Sequence, residues 1–160
     1  MKTIVTVSLG SSKKDFEFKT RFLGKNFTIH RMGSDEDTTK AWEIMRRQQA
    51  HADAIGLSEI SDHINVGMRT LINKETRRLT NVVTRVPVTT GATLRRLLQV
   101  RAIRYVQKEL GHYFNNNLVL FLSGMRNYDM AVAMSDYTKN LTFADALLQT
   151  GTPTLLTSPE

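Results

Sequence analysis

Leu118-Val119-Leu120-Phe121-Leu122 is followed at once by Ser123-Gly124-Met125-Arg126 and then by an apolar-periodic run from Tyr128 to Met134. Five consecutive apolar residues leave no polar face, so the stretch predicts a strand covered on both sides, at the centre of a parallel sheet flanked by helices. The Ser-Gly step lets the backbone turn sharply into the next helix, and in open α/β sheets ligands collect at such strand exits. The fold class implied is α/β: a three-layer, Rossmann-like domain, mostly parallel, with an antiparallel β-hairpin.

Outward from that strand, the chain supplies the rest of the sheet. Ile4 to Leu9 alternates apolar residues with Thr6 and Ser8, as a strand does, and ends in Gly10-Ser11-Ser12-Lys13-Lys14. Neither G-x-G-x-x-G nor G-x-x-x-x-G-K-[ST] is present there. Phe16, Phe18, Thr20 and Phe22 alternate with Glu17, Lys19 and Arg21, one aromatic face and one charged face, and Leu23-Gly24-Lys25-Asn26 turns into Phe27 to Met32. This is the hairpin, its polar face toward water. Its edge reads either as the border of the sheet or as a surface for pairing with a second copy in a homodimer.

Gly33-Ser34-Asp35-Glu36-Asp37 predicts a helix start with Ser34 as cap, the helix running to about Ala50 with Ala41, Trp42, Ile44, Met45 and Gln48 toward the sheet. Asp53 to Leu57 predicts a buried strand with Ser58 at its exit. Ile60 to Asn73 reads as a short strand or an irregular lid, Lys74 to Arg85 as a basic surface helix, and Val86-Pro87-Val88 as a strand. Thr89-Thr90-Gly91-Ala92-Thr93 opens the longest helix, with Leu94, Leu98, Ala102, Val106 and Leu110 as its buried stripe. Beyond the quoted stretch, Leu141 to Leu148 predicts a helix capped by Thr142, and Gly151 to Leu156 a last strand.

A chain of 160 residues, 41% hydrophobic and without a Gly/Ser/Pro-rich linker, is expected to form one domain over residues 1–160. With no cysteine, disulfides, thiolate metal sites and cysteine nucleophiles are excluded, which fits a cytoplasmic address. The Ile4 to Leu9 run is too short for a secretory or membrane segment. His30, His51, His63 and His112 show no metal-ligand spacing, and no G-x-S-x-G elbow occurs, so neither a metal site nor a serine hydrolase is expected. The net charge of +7 favours anionic ligands. The basic pairs are dispersed and interleaved with acids, which reads as solvated helix faces rather than a nucleic-acid stripe.

Four strand exits carry the ligand candidates: Gly10, Ser11, Ser12 and Lys13; Ser58; Thr89, Thr90 and Gly91; and Ser123 and Gly124. If all four lie on one rim, their amides and hydroxyls suit the oxygens of a small anionic metabolite. The competing reading is that turns need small residues whatever they bind.

Val5 to Asp15, and later Val119 to Met125 with Leu141-Thr142-Phe143-Ala144-Asp145, resemble the amino-terminal part of bacterial quinate 5-dehydrogenase and predicted amino acid dehydrogenase proteins. That resemblance implies the N-terminal domain of a longer chain, the substrate-side or scaffold domain of an NAD(P)-dependent oxidoreductase. NAD or NADP would then belong to the full-length protein and be held by a C-terminal domain of the same chain, with none bound to this domain alone. The alternative is a non-catalytic module that binds a metabolite or drives oligomerisation.

Overall fold

Lys2–Ser8 forms β1, and the larger sheet is assembled around it. In this computed structural model, residues 1–66 and 69–158 are described. β2 (Phe16–Phe22) and β3 (Lys25–Gly33) make the hairpin, followed by α1 (Thr38–Gln48) and β4 (Ala54–Ser58). Next come β5 (His63–Val66), β6 (Arg69–Ile72), α2 (Lys74–Asn81), β7 (Val88–Thr89) and α3 (Ala92–Glu109). The chain continues with β8 (Val119–Phe121), α4 (Tyr128–Ser135), β9 (Leu141–Phe143) and α5 (Asp145–Thr150). The five-stranded sheet has the order β2-β3-β1-β4-β7, parallel except for the hairpin; β5 with β6, and β8 with β9, form separate two-stranded sheets. The protein is thus mixed α/β with a mostly parallel central sheet and an antiparallel pair, the class the sequence implies.

The chain forms two compact units, Met1–Asp62 with Ile72–Ala92, and His63–Leu71 with Thr93–Glu160. In the first, register puts Val5 beside Ile55 and Val7 beside Leu57, all facing one way. Ala41, Ile44 and Met45 of α1 and Leu79 of α2 close over them, and Trp42 packs at the margin of this core. Burying each such aliphatic side chain stabilises by about 1.5–3 kcal/mol. Leu23 and Gly24 both have positive φ, +48° and +76°, the type I′ turn whose twist suits a two-residue hairpin. The hairpin's aromatic face is not covered: Phe16, Phe18 and Phe22 are 48%, 47% and 64% exposed, because α1 and α2 both pack on the opposite face of the sheet.

In the second unit, β8 and β9 pair in parallel through α4, and Phe121 stacks on Phe143 at 5.3 Å. Ile103, Ala131, Ala133, Met134 and Leu141 complete that core.

Several expectations are corrected. The central strand is β1, whereas β8 lies in a two-stranded sheet, with Phe121 buried but Leu118, Leu120 and Leu122 88%, 57% and 66% exposed. A run of apolar residues therefore did not mean two covered faces. The stripe of α3 is reversed: Ile103 is its buried residue, while Leu94, Leu98 and Leu110 are exposed. α1 begins later than expected, capped by Asp37, which accepts from the Thr39 and Lys40 amides, because Asp35 and Glu36 adopt left-handed backbone before it. α2 ends at Asn81 rather than Arg85. Leu141 to Phe143 is a strand, since it pairs with β8, and only Asp145 onward is helical. Gly151 to Leu156 contributes one bridge, Leu156 with Phe143, rather than a strand. The undecided stretch contains β5 and β6; its Gly67 and Met68 lie outside the described residues.

Candidate functional site

β1, β3, β4 and β7 are parallel and leave the sheet at one rim, which brings together Gly10 to Lys13, Gly33-Ser34-Asp35, Ser58-Glu59 and Thr89 to Gly91. Three of the four expected exits therefore meet. Ser123 and Gly124 lie at the end of β8 in the second unit.

Arg31 organises the rim. Register places it beside Thr6 on β1 and Phe16 on β2, so its side chain runs toward the strand ends. There Nη1 donates to the Ser11 carbonyl and Asp15 Oδ1, both at 3.0 Å, and Nη2 donates to Ser8 Oγ at 2.8 Å and Glu59 Oε1 at 3.0 Å. Its side chain is only 10% exposed. The guanidinium holds the exposed Glu59 carboxyl below its ordinary range, with help from Ser8. Asp15 also accepts from the Gly33 amide at 2.6 Å. A Cβ on Gly33 would lie 2.6 Å from the Ser11 carbonyl carbon and the Ser12 nitrogen, so glycine lets this loop lie on the strand end.

Three amides of the Gly10 loop are used within the protein. Gly10 donates to Ser8 Oγ at 3.1 Å, Ser12 to Asp35 Oδ1 at 2.7 Å and Lys13 to Ser11 Oγ at 3.2 Å. Asp35 Oδ2 also meets Lys40 Nζ at 2.7 Å, and this lysine, then the Ser12 amide, hold its carboxyl well below the usual range. Asp35, Glu36 and Glu59 all have positive φ, between +58° and +65°, a conformation that costs non-glycine residues energy and clusters where function requires it. Ser34, just before Asp35, is fully buried, and its hydroxyl has no hydrogen-bond partner among the described residues. At the β7 exit Thr90 Oγ1 donates to Asp62 and accepts from the Ala92 amide, and the Thr89 hydroxyl accepts from Gly91.

Beside this rim, α1 and the end of β3 enclose a cleft of about 500 Å³ whose lining includes Ser12, Asp15, Gly33, Lys40, Arg47 and His51. Lys40 and Arg47, seven residues apart, lie on the same side of α1, and His51 follows in the turn after the helix. Arg46 lies instead over the Trp42 ring at 5.5 Å, leaving Arg47 for the cleft. Among the described residues Arg47 makes no ion pair, and Asp15 on the opposite wall is already matched by Arg31. The arrangement can hold an anion; no group of three His, Asp or Glu residues that could hold a metal occurs among the described residues.

In the second unit Asp145, 6% exposed, fills the turn after β8. It accepts from the Gly124 amide at 2.6 Å, the Met125 amide at 3.2 Å, Ser123 Oγ at 3.3 Å and Gln149 Nε2 at 3.2 Å. A Cβ on Gly124 would lie 2.4 Å from Phe143 Cδ1.

Sequence reasoning passed over Arg31, Asp35, Lys40, Arg47 and His51. Lys40 and Arg47 were visible as bases seven residues apart on one helix, but Arg31 requires the hairpin register to be known.

No curated protein matches the chain. In fold it is similar to the catalytic subunit of aspartate transcarbamoylase from M. jannaschii, at 16% identity and a TM-score of 0.41, over 89% of this chain and 46% of that one. Residues 93–160 match the model of a domain of unknown function, DUF8754. The expected kinship with quinate 5-dehydrogenase is overturned, since both family models that account for the chain describe domains of unknown function, and the dehydrogenase role inferred from it loses its basis. Residues 3–90, more than half of the chain, match the model of the domain of unknown function DUF8753, and the chain belongs to that family.

Proposed function

We propose that the first unit is a binding module for a small anionic metabolite, held in the cleft between α1 and the end of β3. The observation that carries this reading is Arg47, which makes no ion pair among the described residues, lining the cleft beside His51, while the nearby carboxylates Asp15 and Asp35 are already matched by Arg31 and Lys40. Lys40 and Arg47 are about 10 Å apart along the helix axis at 1.5 Å per residue. A ligand bearing a phosphate or a carboxylate would place its charge at Arg47, whose planar fork suits both groups, and Ser12 lines the same space. The net charge of +7 draws such ligands in from solution.

The test is thermal unfolding followed by the fluorescence of Trp42, the single tryptophan, which packs against the core of this unit. Inorganic phosphate and succinate are titrated against chloride at matched ionic strength. Phosphate stabilises proteins in general by exclusion from their surfaces, so Arg47→Glu is the control that separates binding from solvent effects. A saturable rise in melting temperature with either probe, absent in Arg47→Glu, is the expected result. Equal responses of the two proteins, or no response beyond that to chloride, would overturn the reading.

A further inference from the structure

The outer edge of β2 carries a self-complementary pattern. Lys25 follows the type I′ turn at Leu23-Gly24, so Phe22 and Lys25 form the hydrogen-bonded pair that closes it, and antiparallel pairing alternates from there. The even-numbered residues Phe16, Phe18, Thr20 and Phe22 thus spend their backbone groups on β3. Glu17, Lys19 and Arg21 point theirs away from the sheet. All three are exposed, and β2 is an end strand of the five-stranded sheet. The outward N–H and C=O groups of these three residues form a template for another strand.

We propose that this edge pairs with the β2 edge of a second copy, antiparallel, about a two-fold axis at Phe18. Only registers that set odd residues against odd ones can form the ladder. With the axis at Phe18, Glu17 lies opposite Lys19 of the other copy, twice by symmetry, and Arg21 comes opposite the backbone of Asp15, whose carboxylate stays on Arg31. Every charged pair is then of opposite sign. Moving the axis to Lys19 sets lysine against lysine, and moving it to Glu17 sets glutamate against glutamate, so charge selects the first register. That register also brings the two Phe18 rings together in a close, non-hydrogen-bonded pair. Phe16 and Phe18, with ring centroids 5.7 Å apart and each about half exposed, then form a four-ring cluster across the axis. The result is a continuous ten-stranded sheet and an isologous dimer.

Sedimentation velocity of the whole chain over a wide range of concentration tests the proposal. The wild type should show a reversible monomer–dimer equilibrium. Lys19→Pro removes an outward N–H without touching the β2–β3 ladder and should leave only monomer, with Trp42 fluorescence reporting that the first unit remains folded. Glu17→Lys should weaken the dimer about tenfold by turning two attractive pairs repulsive. The exchange Glu17→Lys with Lys19→Glu should restore it, since the same positions face each other with signs reversed. With the axis at Lys19 that double variant would set the new base at position 17 against Arg21 and the new acid at position 19 against its own copy, and stay weak. A wild type that is monomeric throughout, a dimer that survives Lys19→Pro, or a double variant no better than Glu17→Lys would each overturn the proposal.

Discussion

Removing the Arg31 guanidinium should unfasten the rim. Arg31→Met keeps most of the apolar stem and deletes the fork, so the loss is that of the hydrogen bonds alone. The Ser8 and Ser11 acceptors are neutral; Ser8 is fully buried, and each such bond stabilises by about 1 kcal/mol. Asp15 is 39% exposed and regains water when the arginine goes, so its pair counts at the value of a surface pair, about 0.5 kcal/mol. The Glu59 carboxylate is more exposed still, and solvent screens its pair with Arg31. Methionine returns part of this by sparing the desolvation of a charge. The net expectation is about 2 kcal/mol, or a fall in melting temperature on the order of 10 °C for a unit of this size. Urea unfolding followed by Trp42 fluorescence reads it. Arg31→Lys keeps the charge but spans fewer of the four acceptors, and should recover less than half of the loss. A loss below about 0.5 kcal/mol in the methionine variant, or full recovery in the lysine variant, would refute the view that the fork ties the strand exits together.

Two further outcomes are expected. Gly124→Ala drives a methyl to within 2.4 Å of the Phe143 ring and should destabilise the second unit by about 1–3 kcal/mol, read by hydrogen exchange of the Phe121 and Phe143 amides; unchanged protection would count against the close approach. The Asp35 carboxyl is held below its ordinary value of 3.8, chiefly by Lys40, so its contribution to stability is present above that pH and is lost as the pH falls below it. Asp35→Asn should therefore flatten the acid limb of the melting-temperature profile while leaving its slope at neutral pH alone, and superimposable acid limbs would refute the assignment.

How much was legible follows from where the information lies. The hairpin was readable because a period of two over Phe16 to Phe22 is local, and so was the core face of α1 through Ala41, Ile44 and Met45. The place of Leu118 to Leu122 was not. An apolar run states that a strand lacks a polar face, but whether partners cover both faces depends on pairing elsewhere in the chain, and among the described residues β8 pairs with β9 alone. α3 failed for a related reason: apolar residues occur all round it, and packing within its own unit against Phe121 and Met134, not its periodicity, selected Ile103 over Leu94 and Leu98. Three strand exits were placed on one rim correctly because parallel pairing of β1, β4 and β7 requires it.

What sequence cannot show is whether an inviting turn is already occupied. A glycine-serine turn at a strand exit looks like an anion cradle, and both of the most inviting ones carry an anion that belongs to the chain itself. Asp35 sits on the Ser12 amide, and Asp145 sits on the Gly124 and Met125 amides. A phosphate would have to displace a carboxylate that is tethered, and therefore present at high effective concentration. The two cases differ in consequence. Asp145 is buried and closes its turn against the phenylalanine pair, so that exit serves packing. Asp35 is exposed, and by taking the Ser12 amide and Lys40 at once it ties the β1 exit to the first turn of α1. That tie is what brings the wall carrying Lys40, Arg47 and His51 against the Ser12-to-Asp15 turn. On the proposed function, the loop would serve anion binding by shaping the cleft beside it, its Gly10, Ser12 and Lys13 amides being already spent.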